Sequence, residues 1–153
     1  MRIIAHRGLT DGPDNVTENT VPQIENALHQ GFDCEIDLWR LNDRLYLGHD
    51  KPIEEVSENW VAKKSFWIHA KNDIALRWLN NTELNYFWHE TDHFTLTSKN
   101  IIWVYMGKPI LANSICVMPE HFNFSYEELR KCYAICTDYP KRYKKKLAAL
   151  EDE

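Results

Sequence analysis

No run of apolar residues approaches the roughly 20 needed to cross a bilayer as a helix, so no transmembrane anchor is expected. A leader peptide is not expected either, because Met1 passes directly into Arg2-Ile3-Ile4-Ala5, too short for an apolar signal core. Basic residues are not in excess. The formal charge is −5, which argues against nucleic acid as the main partner, since such domains carry a basic footprint. The four cysteines, Cys34, Cys116, Cys132 and Cys136, lack CxxC spacing, which speaks against a metal or redox role for them. They read instead as small buried hydrophobes of a reduced, cytoplasmic protein. Internal repeats, low-complexity segments and linkers are also missing, so residues 1–153 are expected to form one domain, long enough to bury a core.

What is present is an aromatic-rich chain with a concentrated polar stretch. Six Trp, seven Tyr and six Phe favour well-packed strands and an aromatic-lined pocket. The chemistry gathers between residues 33 and 50. Asp33-Cys34-Glu35-Ile36-Asp37-Leu38-Trp39 interleaves apolar residues with acids and reads as a strand. Alternation sends Glu35 and Asp37 to one face and Cys34, Ile36 and Leu38 to the other. Two adjacent carboxylates repel unless a cation lies between them or one stays protonated. The plainer alternative is a solvated strand face bearing two surface acids.

The elements around this stretch follow a β-α-β order. Residues 2–6 form a short strand ending in His6-Arg7-Gly8, and a loop rich in Gly, Pro, Asp and Asn follows. Thr20 to Gln23 has the form of a capping box opening a helix whose buried stripe is Val21, Ile24 and Leu28. A parallel β-α-β unit then brings the carboxyl ends of the first two strands to one sheet edge, so His6 is expected beside Glu35 and Asp37. Leu45–Leu47 delivers His49-Asp50 to a loop, and residues 53–63 read as a weak helix. Phe66 to Lys71 is the next strand, with His69 and Lys71 on one face, and Asn72-Asp73 caps the helix after it. Strands are predicted at 86–89, 94–97, 101–105, 115–118 and 133–137, with helices at 125–132 and 139–150. A full eight-fold β/α barrel takes about 250 residues. The expected architecture is therefore a minimal (β/α) TIM-type barrel with several outer helices shortened or missing, or else an open α/β sheet. Strands left bare by the missing helices call for cover, which predicts a homo-oligomer.

Six segments, in order, resemble the glycerophosphodiester phosphodiesterase family of phospholipase-C-like barrel enzymes. They are Ala5-His6-Arg7-Gly8, Glu18-Asn19-Thr20, Glu35-Ile36-Asp37, Gly48-His49-Asp50, the strand holding Lys71, and Ile135 to Pro140. The resemblance implies metal-dependent hydrolysis of a small phosphodiester. It makes His6 and His49 the acid/base pair, Glu35 and Asp37 metal ligands, and Arg7 and Lys71 the cations that meet phosphate oxygens. The family has Glu two residues before the lysine, and this chain has His69 there. Imidazole is a competent ligand, and two carboxylates with one histidine favour Mn, Fe or Zn over the harder Ca. One divalent ion is thus expected, among Mg, Ca, Mn and Zn. The insertion that commonly follows the family's second strand is missing. Two other readings accompany this one: a lyase-type enzyme that closes a cyclic phosphate, and a non-catalytic phosphate-binding domain.

Further polar residues are weighed against plainer roles. Glu18 and Asp50 fall within the matched segments. His89-Glu90-Thr91-Asp92-His93 ends a strand, so His89 and Asp92 are pocket candidates or part of a polar loop. Glu120 has the same geometry. Asp138 is expected to cap the last helix. Trp67, Trp88 and Trp103 are expected in the core, and the basic run 141–146 as the solvated face of the last helix.

Overall fold

The computed structural model describes residues 1–151. The first half contains β1 (Arg2–Ala5), α1 (Val21–His29), β2 (Asp33–Leu41), β3 (Arg44–Leu47) and β4 (Glu54–Val56). It continues through α2 (Glu58–Val61), β5 (Phe66–Ala70) and α3 (Asp73–Leu79). The second half contains β6 (Tyr86–Phe87), β7 (Phe94–Leu96), β8 (Ile102–Val104), β9 (Ser114–Val117), α4 (Tyr126–Leu129), β10 (Ala134–Thr137) and α5 (Pro140–Glu151). Single 3-10 turns lie at His6–Gly8 and Pro119–His121. Among the described residues no helix is long and apolar enough to cross a membrane.

The TIM-type barrel does not form. Among the described residues ten strands make one open, curled, mixed sheet with five short helices, and strand is its main component. Its parallel part runs β6-β5-β2-β1-β10-β9-β8. β3 and β4 extend β2 as an antiparallel meander, and β7 pairs antiparallel with β8. The physical reason is connection length. Helical crossovers are present in the first half, but β6, β7, β8 and β9 follow one another with no α-helix between them. The short link between β7 and β8 gives an antiparallel pair, while β8 and β9 stay parallel across a loop that carries no helix. β6 and β8 approach without forming a ladder: Phe87 and Trp103 stack with ring centroids 4.2 Å apart, and Ser98 N–H donates to Tyr86 O at 2.7 Å.

The predicted neighbours β1, β2 and β5 are parallel and adjacent, with Ala5 opposite Cys34 and Asp37 opposite His69. Alternation then sorts their side chains. Cys34, Ile36, Leu38, Phe66 and Ile68 face outward into a cluster covered by α1 and α3. Ile4, Trp67, Phe87, Trp103, Ile115 and Cys136 fill the inside of the curl. A third cluster, with Cys116, Leu129, Ile135 and Tyr143, lies under α4 and α5. All four cysteines are free and buried, and Trp67 and Trp103 are core residues while Trp88 is half-buried against it. The basic run exposes Lys141, Arg142 and Lys144 to Lys146 and buries Tyr143, as a solvated helix face does.

Three local expectations fail. Residues 53–63 form β4 and a single turn of helix rather than one helix. Thr20 does not cap α1: its hydroxyl donates to Thr17 O, and Gln23 reaches Gly8 O. Glu54, from β4, accepts from Val21 N–H at 2.9 Å instead, so a carboxylate 33 residues away meets the helix N-terminus. At the other end of the chain Asp138 turns away from α5, toward His6. The capping of α3 by Asn72 is as expected, its side chain accepting from Ala75 N–H at 3.0 Å.

Candidate active site

β1 ends by turning sharply. Arg7 takes the left-handed conformation (φ 51°), and Gly8 (φ 74°) passes so close to α1 that a Cβ there would lie 2.7 Å from Ile24 Cγ1. This turn points His6 and Arg7 into a cavity of about 420 Å³ at the carboxyl ends of the parallel strands. Arg7, Glu35, Asp37, His49, His69, Lys71 and His89 also line it. The sequence-predicted acid/base pair, metal ligands and phosphate cations therefore converge on one space.

Glu35 and Asp37 are not surface acids. They are 2% and 1% exposed, which excludes the solvated-face alternative. Buried charges must be paired or must bind ions. Glu35 Oε2 accepts from Arg7 N–H at 3.1 Å. Burial, and then the charge of Asp37, raise the pKa of Glu35. Asp37 is clamped by Asn19, whose side chain donates to Oδ2 at 2.9 Å and accepts from the Asp37 N–H at 3.0 Å. Burial works against the Asp37 carboxylate, but His69, Lys71 and Arg7 outweigh it and hold its pKa below the ordinary value. Arg7 Nε lies 3.3 Å from Asp37 Oδ2, while its Nη1 forks onto both oxygens of Glu18 at 3.0 Å.

His69 has a defined tautomer. Its Nε2 faces His89 O at 2.9 Å, and a carbonyl can only accept, so Nε2 carries the hydrogen. In the neutral ring Nδ1 is then a lone pair, 3.0 Å from Asp37 Oδ1 and 3.9 Å from Glu35 Oε1. Asp37 Oδ1 is buried without a hydrogen-bond partner, and Lys71 Nζ stands 3.5 Å away. The pair is held either by a proton on Nδ1, the state in which His69 lowers the Asp37 pKa, or by a cation that takes that proton's place. One donor atom from each of Glu35, Asp37 and His69 lies within 4.8 Å of the others, so the three fit a divalent ion by chemistry and spacing.

Each histidine of the expected acid/base pair is oriented by an aspartate. His6 Nδ1 donates to Asp138 Oδ1 at 2.8 Å across 132 residues of sequence, leaving Nε2 unprotonated in the neutral ring, 3.9 Å from Glu35 Oε2. Burial opposes the imidazolium, but the Asp138 hydrogen bond and the Glu35 charge outweigh it and raise the pKa of His6. Glu120 supports this arrangement: it accepts from Thr137 hydroxyl at 2.8 Å and from Asp138 N–H at 3.0 Å, outside the cavity lining. His49 is more open, with its side chain 37% exposed and Nδ1 2.8 Å from the exposed Asp50. Its loop is pinned back on β2 by Trp39 Nε1–H, which donates to Gly48 O at 2.6 Å. Gly48 is required there, since at φ 145° a Cβ would overlap the Lys51 carbonyl.

His89 lies on the cavity wall, with Nδ1 2.7 Å from Asp92. Burial lowers its pKa, and the Asp92 hydrogen bond offsets this only in part. Glu18 borders a neighbouring cavity that shares Arg7 and His49. Sequence reasoning did not assign site roles to Asn19 or to Asp138 as the partner of His6. Both fall inside the matched segments, and that was the available signal. No family model, curated protein or solved structure matches the chain.

Proposed function

We propose that this chain is a metal-dependent phosphodiesterase that hydrolyses a small diester of the glycerophosphodiester type. The observation that carries the reading is the buried trio Glu35, Asp37 and His69, in which Asp37 Oδ1 has no hydrogen-bond partner and faces His69 Nδ1. Those residues would hold the ion, which when bound would polarise a phosphoryl oxygen. Lys71 and Arg7 stand beside it to meet the other phosphate oxygens. His6, backed by Asp138 and with its proton affinity raised, suits the acid that protonates the departing alcohol. His49, at the open side, suits the base that takes a proton from the attacking water.

One observation favours a binding-only reading. Arg7 is already paired with Glu18 and Asp37, and Lys71 with Asp37, so the cations are partly neutralised within the site. The test is metal analysis of the purified protein together with turnover of a glycerophosphodiester in Mg, Ca, Mn and Zn. Roughly one ion per chain and metal-dependent release of a monoester are expected. Bound metal and phosphate without turnover of any diester would establish the binding module, and a cyclic phosphate product would make the enzyme a lyase.

Two further parts of the reading concern setting. The four free thiols suit a reducing, cytoplasmic compartment. Phe94, Leu96, Leu111 and Phe122 are exposed in the second half, which suits a homo-oligomer covering that side. Light scattering on dilution decides the latter, and a stable monomer would refute it.

A further inference from the structure

The cavity has two unlike sides. Toward β1, β2 and β5 it is ionic. Toward the ends of β8 and β9 it is made of Tyr105, Met106, Val117 and Met118. Phe87 and Trp103, 2% and 4% exposed and stacked on each other, also line it and continue into the core. His69 stacks on Phe87 in turn, with centroids 5.0 Å apart and planes within 9°, so an aromatic column runs up to the ionic side. His89, held by Asp92, stands with its ring 5.4 Å from that of Tyr105, and the exposed Glu90 lies on the same lining.

Met118 is placed in this wall by an unusual backbone. Its φ of 50° and ψ of 52° are left-handed, a region that a bulky L-residue seldom adopts. Its N–H donates to Cys136 O at 2.8 Å, fixing the turn that follows β9. Strained residues of this kind gather where the surrounding structure needs a side chain in one place.

We propose that one alcohol of the substrate is a compact, ring-bearing apolar group that packs against Tyr105, Met106 and Met118. This inference rests on the diesterase reading. A small polyol on this side could meet Glu90 and His89 but would leave the thioethers of Met106 and Met118 and the ring face of Tyr105 uncovered. A flat ring matches the wall, because thioether sulfur and aromatic edges attract one another. The cavity of about 420 Å³ must also take the phosphate, which leaves a compact space beside the apolar wall.

The experiment compares three glycerophosphate diesters carrying methyl, benzyl and dodecyl groups. These are alcohols of similar basicity, so the chemical step is matched. The full-length chain is assayed with the divalent metal that supports turnover. Each buried methylene is worth about fourfold in affinity, so partial burial of the ring predicts a kcat/KM for benzyl roughly 30-fold above methyl. Dodecyl is expected to be no better than benzyl. Met118→Ala is expected to narrow the benzyl-to-methyl ratio about fivefold, as is Met106→Ser, whose more exposed position protects the fold. Equal rates for methyl and benzyl, or ratios unmoved in both variants, would overturn the ring assignment while leaving the diesterase intact. A dodecyl preference would replace the ring with an acyl chain. No turnover of any of the three would overturn the diesterase reading, and this inference with it.

Discussion

The two halves of the sheet differ in construction. β2 has nine residues and β5 five, they pair over five positions, and both are packed on each face. β6, β7 and β8 have two or three residues each, and Phe94 and Leu96 of β7 are 42% and 62% exposed. The candidate ligands all sit on the long, doubly covered strands, whereas the short strands contribute the apolar cavity wall. Holding donor atoms in position needs a register that packing over-determines. A wall of Met and Tyr tolerates looser support, since such side chains adapt.

The sharpest way to break this comparison is to remove one charge from the rigid half. Asp37→Ala is expected to abolish metal binding and activity together, leaving Lys71 and Arg7 as half-buried cations without their common partner. His6→Ala is expected to cost about 10²- to 10⁴-fold in rate with metal retained, because it removes only proton transfer. Asp138→Asn should fall in the same direction by less, since its role is to orient His6. Metal content by elemental analysis beside diester turnover reads all three. If His6→Ala lost its metal, the division between ligands and acid/base residues would be wrong.

Much of the rigid half was legible because its rules are local. Period-two alternation in residues 33–39 placed Glu35 and Asp37 on one face, and β-α-β handedness placed His6 beside them. What the sequence did not disclose were partners set by the curl. Asp138 reaches His6 across 132 residues, Glu54 caps α1 across 33, and the His89 carbonyl sets the tautomer of His69. None of these leaves a periodic trace. The barrel expectation failed in the short-strand half, where nothing in the spacing said that β6 and β8 would approach and stack without pairing.

Stability offers a second, smaller contrast. Ile68→Ala removes a side chain that is 1% exposed in the outer cluster, and is expected to cost about 2–5 kcal/mol in a urea melt. Leu96→Ala, on the open edge strand, is expected to stay within about 0.5 kcal/mol. A much larger cost at Leu96, growing with protein concentration, would show that a second copy covers that edge.

The smallest effect concerns the ties outside each half. Glu25, on α1, accepts from Trp60 Nε1–H at 2.7 Å and lies 3.2 Å from Lys63, so it joins α1 to the α2 segment across 35 residues. Partial burial works against its carboxylate, but Trp60 and Lys63 outweigh it and lower its pKa from the ordinary 4.5. A carboxylate depressed in the folded state contributes stability that is present above the unfolded pKa. That contribution is lost as pH falls below 4.5 through the folded value. Glu25 is about a third exposed, so solvent screening limits the tie to a few tenths up to about 1 kcal/mol. Glu128 has a lowered pKa too, through backbone and hydroxyl bonds from Ser125, but its partner is only three residues away and serves one turn of helix. Melting temperatures of Glu25→Gln and Glu128→Gln against wild type, at pH 7 and pH 3, separate the two. The Glu25→Gln deficit should be present at pH 7 and smaller at pH 3, as wild type takes up the proton. Glu128→Gln should shift the global melt little at either pH, because α4 can fray without opening the sheet. Equal deficits at pH 7 would mean that the short-strand half is as tightly coupled to global unfolding as the long-strand half.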